Sequence, residues 1–191
     1  DAGLTALLAA RGIACPDNLV IDPASRSYGG GDTVPMVSRY AGLPSLADFH
    51  YVSFFPRARA FELAARPGLS PLALSGASSW AESDRHGYEL EGRASRSASE
   101  AQGPLVLAAL ARCGKARLIV FGDSDFMTNA HLNASGNSLL ALSCLEGLSA
   151  ELNDSPALPV LSRSQIYLIF WLGVVLLPAL GLAGLVVVLV L

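Results

Sequence analysis

Charge is scarce in this sequence. Asp, Glu, Lys and Arg make up 15% of its 191 residues, against roughly 25% in an average soluble domain. What charge there is nearly balances, with 13 basic and 16 acidic side chains and a net of −3. The basic surplus of a protein that grips nucleic acid is missing. Disorder as the global state is excluded, because 52% of the residues are hydrophobic and a disordered chain has few of these and much charge. Cysteine is scarce too. Cys15, Cys113 and Cys144 form no Cys-x-x-Cys pair, and the chain has no nucleophile elbow. Outside the cytoplasm one disulfide among the three is open; apolar packing is expected for Cys144. Gly29-Gly30-Gly31 lacks the Gly-Lys-Ser/Thr ending of a phosphate-binding loop, so 24–34 reads as a surface loop. His50 and His86 have no metal-ligand spacing between them.

Over 166–191 charge is absent altogether. A helix of that length, at about 1.5 Å per residue, exceeds the roughly 30 Å hydrocarbon core of a bilayer. Tyr167 and Trp171 lie near its start, where an aromatic belt would sit. The pattern predicts a soluble domain over 1–161 and one C-terminal transmembrane helix over 162–191, capped by Ser162 or Ser164. The chain starts at Asp1 without Met and stops at Leu191 inside the apolar run. It is expected to be the C-terminal portion of a longer protein.

Leu4, Leu7, Leu8 and Arg11 share a helical stripe ended by Gly12. Leu19-Val20-Ile21 reads as a buried strand closed by Asp22-Pro23. Strands are expected over 50–55 and 71–75, and most clearly over 116–121; 105–111 fits helix or strand. Residues 138–148 suit an amphipathic helix with Leu139, Leu140, Cys144 and Leu148 on or near one face. The polar stretch 82–102 reads as a solvated, lid-like loop. Helix, turn and short strand in this order suggest an α/β unit.

The chemistry lies in 122–137. Asp123 and Asp125 stand two apart at the end of a strand, with Ser124 between them and Asn129 and Asn137 downstream. They are candidate ligand-binding residues, since open α/β sheets bind ligands at such ends. A divalent cation is one reading. The preferred one is a tight turn in which the carboxylates accept backbone N–H groups and Phe126 points into the core. Gly122-Asp123-Ser124 also resembles the nucleophile block of GDS-type serine esterases. That block normally follows the first strand of its domain; here it follows the last, and His131 comes only seven residues later.

The order of these features carries a wider resemblance. Arg11-Gly12-Ile13 leads to Leu19-Val20-Ile21-Asp22, Phe55-Pro56-Arg57-Ala58 and Ser79-Trp80-Ala81-Glu82. Gly103-Pro104-Leu105 follows, then Val120-Phe121-Gly122-Asp123-Ser124-Asp125-Phe126, Asn129, Gly136-Asn137 and the terminal apolar run. This resembles the C-terminal half of the GldG-like family, the auxiliary, gliding-motility-associated component of an ABC-type transport system. The resemblance implies a partial Rossmann-like α/β domain, related in fold to class I glutamine amidotransferases but without their catalytic cysteine. It implies an extracytoplasmic position on a bacterial inner membrane, with an ABC ATPase and a multispanning permease as partners, and it brings no accepted catalytic residues; no metal or cofactor is expected.

The expectation is thus a membrane-anchored, non-catalytic accessory subunit of an ABC transporter. Two alternatives come from other classes: an extracytoplasmic hydrolase using 122–125, and a carbohydrate- or peptidoglycan-binding module with the polar loop and Trp80 as its surface.

Overall fold

The computed structural model of the protein describes residues 2–114, 116–149 and 171. The chain divides into two compact units, Asp1–Glu151 and Leu152–Leu191; all the elements below belong to the first.

Helix α1 (Ala2–Ala10) opens the chain. Short strands β1 (Ile13–Ala14) and β2 (Leu19–Ile21) follow. A 3-10 turn at Pro23–Tyr28 then leads to β3 (Met36–Val37) and β4 (Arg39–Tyr40). After a second 3-10 turn, Pro44–Leu46, come β5 (Ser53–Phe54), β6 (Glu62–Leu63) and β7 (Leu69–Leu74). Strand β8 (Trp80–Glu82) and helix α2 (Arg85–Glu91) precede the hairpin strands β9 (Val106–Cys113) and β10 (Ala116–Phe121). A turn at Asp125–Met127 and helix α3 (Asn137–Ser149) close the unit.

Among the described residues every strand pair is antiparallel. The main sheet runs β10-β9-β7-β4, and three two-stranded ladders, β1-β6, β2-β8 and β3-β5, surround it. The expected Rossmann-like α/β fold is therefore wrong for this unit. The reason lies in the connections. Parallel neighbours need a crossover of a dozen or more residues, usually a helix. Here β9 turns straight into β10 at Gly114, whose φ of 63° suits glycine. Leu19-Val20-Ile21 is the buried strand expected, but it pairs antiparallel with Trp80–Glu82, and a 3-10 turn stands where a crossover helix would begin.

The main sheet is covered on both faces, and the alternation of its side chains shows why. Ile119 and Phe121 of β10 turn toward a core of Leu72, Leu107, Leu110, Phe55, Phe126, Leu140 and Cys144. Leu118 and Val120 turn the other way, toward Leu8, Ile13, Phe61, Ala109 and Ala111. Helix α3 covers the first face through Leu140 and Cys144; Leu139, expected beside them, is 40% exposed. Helix α1 covers the second face with Leu8 alone, and Leu4 and Leu7 of its expected stripe are exposed.

Two other expectations change. The strand over 50–55 shrinks to Ser53–Phe54, because the main chain there is held by the approach to α3: Gly136 N–H donates to Val52 O at 2.7 Å. The polar stretch 82–102 is not a solvated loop throughout. It contains α2, capped by the Asp84 carboxylate on Gly87 N–H at 2.8 Å, and it buries Glu100. Among the described residues no helix is long and apolar enough to cross a membrane. The span expected over 162–191, with its Ser162 or Ser164 cap, lies outside them apart from Trp171.

Candidate functional site

Strand β10 delivers the chain to Gly122, which is pinned between two neighbours. Its N–H donates to Leu107 O and its carbonyl accepts from Arg59 N–H, each at 2.8 Å. A Cβ at this position would collide with the Arg59 carbonyl oxygen, so glycine is required by close approach. The next residue turns the chain. The Asp123 carboxylate accepts the Asp125 N–H at 2.6 Å and the Phe126 N–H at 3.0 Å. It thereby satisfies two donors that the short 3-10 turn leaves over. Burial raises the Asp123 carboxyl from its ordinary 3.8 to about 6, helped by the charge of Asp125. The two N–H bonds and the nearby His131 pull the other way without cancelling it.

Phe126, held by that turn, is fully buried. Its ring centroid lies 4.9 Å from Phe55 and 4.8 Å from Phe121, inside the range of favourable aromatic pairs. Asn137 closes the segment and is fully buried as well. Its Oδ1 accepts Phe54 N–H at 2.8 Å. Its Nδ2 lies 2.9 Å from His131 O, 3.2 Å from Phe54 O and 3.3 Å from Phe126 O.

The structure thus sorts the five candidate residues. Asp123 and Asn137 are turned inward onto main-chain groups. Ser124, Asp125 and Asn129 are exposed on the same segment, and the Ser124 side chain makes no capping bond to the turn. His131 is half-buried and close enough to Asp123 to act on its charge. Among the described residues no group of three or more His, Cys, Asp or Glu is arranged to hold a metal ion. His50 and His86 are exposed and lie on separate segments.

Two polar clusters escaped the sequence reading. At the end of β2, Asp22 is buried and accepts Ala24 N–H at 3.2 Å and the Ser78 hydroxyl at 3.3 Å. Beside it the Ser75 and Ser79 hydroxyls share a hydrogen bond of 2.6 Å, and Ser75 Oγ accepts Leu105 N–H at 2.8 Å. The second cluster lies in 82–100. Glu100, 8% exposed, accepts the Ser83 N–H and hydroxyl, each at 2.9 Å, and the Ser97 N–H at 2.8 Å. Burial pushes Glu100 up, but these bonds and Glu82 outweigh it and bring its carboxyl down to about 2. Glu82 and Glu100 line an open polar hollow of about 320 Å³ with Tyr88 and Arg93. One signal for this cluster was present: Ser97-x-x-Glu100 has the spacing of a capping box, and one half of it, Ser97 N–H onto the Glu100 carboxylate, forms although no helix follows.

No family model matches the chain, and no curated protein matches it either.

Proposed function

We propose that this chain is a membrane-anchored, non-catalytic accessory subunit of an ABC transporter, as its resemblance to the GldG-like family implies. In this reading the domain sits outside the cytoplasm at a bacterial inner membrane. It docks against the multispanning permease, which an ABC ATPase drives. The observation that carries the reading is the outward face of α3. Leu139, Leu142 and Leu145 are 40%, 61% and 63% exposed there, grouped on one side of the helix by their spacing. Grouped apolar exposure of this kind marks interaction sites. Helix α3 is also the last described element before the uncharged run that begins at Ile166. The hydrolase alternative has less support, because both Asp123 oxygens accept main-chain N–H groups.

The test is capture in native membranes. The full-length protein, carrying a photo-crosslinking residue at Leu142, is expected to co-purify with an ABC ATPase and a permease and to crosslink to the permease. A crosslinker at exposed Leu90 serves as the control. A complex that forms without the Leu142 crosslink would displace the α3 face from the reading. Failure of the ATPase and permease to co-purify at all would end the transporter reading.

A further inference from the structure

Residues 84–96 leave the unit and return to it at one point. Trp80 bridges Gln102, and Ala81 N–H donates to Ala101 O at 2.9 Å. This antiparallel register sets Glu82 opposite Glu100, and both carboxylates are buried. Together they clasp the two ends of the excursion. Glu100 accepts the Ser83 N–H and hydroxyl at the outgoing end and the Ser97 N–H at the returning end. Glu82 accepts the Asp84 N–H at 3.0 Å. Beyond the clasp no side chain of 84–96 is buried, and a segment with so little buried contact opens at low cost. Helix α2 carries its own bonds with it. Tyr88 N–H donates to Asp84 O at 3.0 Å, Gly92 N–H donates to Tyr88 O at 2.8 Å, and Asp84 caps the Gly87 N–H.

One face of α2 is fastened down. Arg85, Tyr88 and Glu89 share that face by their spacing, and each meets a different distant segment. Arg85 reaches Asp17 at 2.6 Å, the Tyr88 hydroxyl donates to Asp32 at 3.1 Å, and Glu89 accepts from Arg57 at 2.7 Å. Each of these partners is also held by a group outside the helix. Asp17 pairs with Arg59 at 2.9 Å and Asp32 with Arg26 at 2.5 Å. Arg57 is left-handed, with a φ of 55°, and its N–H donates to Thr33 O at 2.7 Å. The Arg85 guanidinium, with Arg59 beside it, holds the Asp17 carboxyl below its ordinary value. Ion pairs at such exposed positions are weak and are screened by salt.

We propose that 84–96 is a hinged flap, which swings as one body about the Glu82–Glu100 clasp and is latched shut by the three contacts of α2. A weak latch onto a seat that keeps its own shape gives two discrete positions, open and closed. The hollow of about 320 Å³ is walled by Tyr88, Glu91 and Arg93 of the flap and by Glu82 and Glu100 of the clasp. Opening withdraws the first three and uncovers the charged seat of Asp17, Asp32 and Arg57. Ionic strength thereby sets access to both.

The experiment uses the full chain in detergent. Spin labels on non-natural residues at exposed Leu90 and Tyr51 report the distance between flap and body. Hydrogen exchange is followed at the Ser83, Tyr88, Gly92 and Ser97 amides. A single distance is expected at low salt. In about 1 M NaCl, where charges are screened beyond about 3 Å, a second and longer distance should appear. In the Arg85→Gln, Glu89→Gln double variant the open-to-closed ratio should rise about tenfold at low salt. All four amides should keep their exchange rates within about threefold, because clasp and helix survive the swing. If the double variant does not fold, the salt titration of wild type carries the test. A single distance in high salt and in the folded variant overturns the proposal. So does a longer distance that comes with lost protection at Tyr88 and Gly92, where the helix melts instead of swinging. Lost protection at Ser83 and Ser97 overturns it as well, because the clasp is then no hinge.

Discussion

The side chain of Asn137 and the main chain of Phe54 form a reciprocal pair, although 83 positions separate them. Oδ1 accepts the Phe54 N–H at 2.8 Å and Nδ2 donates to the Phe54 carbonyl at 3.2 Å. The amide thus acts as one residue of an antiparallel partner strand, and β5 needs no further neighbour at that point. Asn137→Ala would leave the Phe54 N–H in a part-buried site without the acceptor it now has. The expected cost is about 2–4 kcal/mol, since a largely desolvated donor loses its acceptor and several bonds go together. Asn137→Asp should also destabilise, because it removes the donor that reaches three carbonyl oxygens. Urea unfolding of both variants measures this. Wild-type midpoints in both would show that the amide carries little of the fold.

Phe126 and Asp125 are adjacent but should respond very differently to substitution. Phe126→Ala empties a site between Phe55 and Phe121 and is expected to cost on the order of 3–5 kcal/mol. Asp125→Asn changes an exposed carboxylate and should shift stability by no more than about 0.5 kcal/mol. A metal-dependent site would behave otherwise. Thermal melts with Mg²⁺, Ca²⁺ or chelator are expected to coincide. A cation-dependent rise in Tm that disappears in Asp123→Asn and Asp125→Asn would make 122–137 a metal site.

Asp123 and Glu100 should give stability opposite slopes with pH. Asp123 is raised from 3.8 to about 6, so the folded state holds its proton more tightly than the unfolded chain. Its contribution is full below about pH 3.8 and is lost as pH rises through about 6. Glu100 is lowered from 4.5 to about 2. Its contribution is full above about pH 4.5 and is lost as pH falls through about 2. Urea titrations across this range should show Asp123→Asn removing the decline on the neutral side and Glu100→Gln removing the loss in acid. An unchanged pH profile in either variant would remove that residue from the account.

The local elements could be read because each is fixed by its own side chains. The β-branched and aliphatic residues of Ala116–Phe121, the apolar triplet Leu19-Val20-Ile21 and the spacing of Leu140 and Cys144 all specify conformation within a few residues. Strand direction is not local. It depended on Gly114 turning β9 back and on Trp80–Glu82 coming to lie beside Leu19–Ile21, with Val20 opposite Ala81. Neither leaves a periodicity in the sequence. The turn at Asp123 was legible, because carboxylates two apart after a strand have few other local roles. The clasp of Asn137 was not, since its partners Phe54 and Phe126 belong to distant segments. Burial of Glu100 was hidden by a polar neighbourhood whose composition is that of a loop.

Helix α3 offers the clearest separation between folding and assembly, because its leucines divide by face. Leu140 is fully buried against the main sheet, whereas Leu142 is 61% exposed. Leu140→Ala removes packed methyl groups and leaves a cavity, so a loss of about 2–5 kcal/mol is expected. Leu142→Lys places a charge where the side chain already meets solvent, and stability should stay within about 0.5 kcal/mol of wild type. If the outward face docks on the permease, Leu142→Lys sets a charge into that contact and should abolish co-purification while leaving the melt unchanged. Chemical denaturation of the isolated variant and affinity capture from membranes read the two effects separately. Retention of the permease by a folded Leu142→Lys, Leu145→Lys double variant would show that the complex does not use this face.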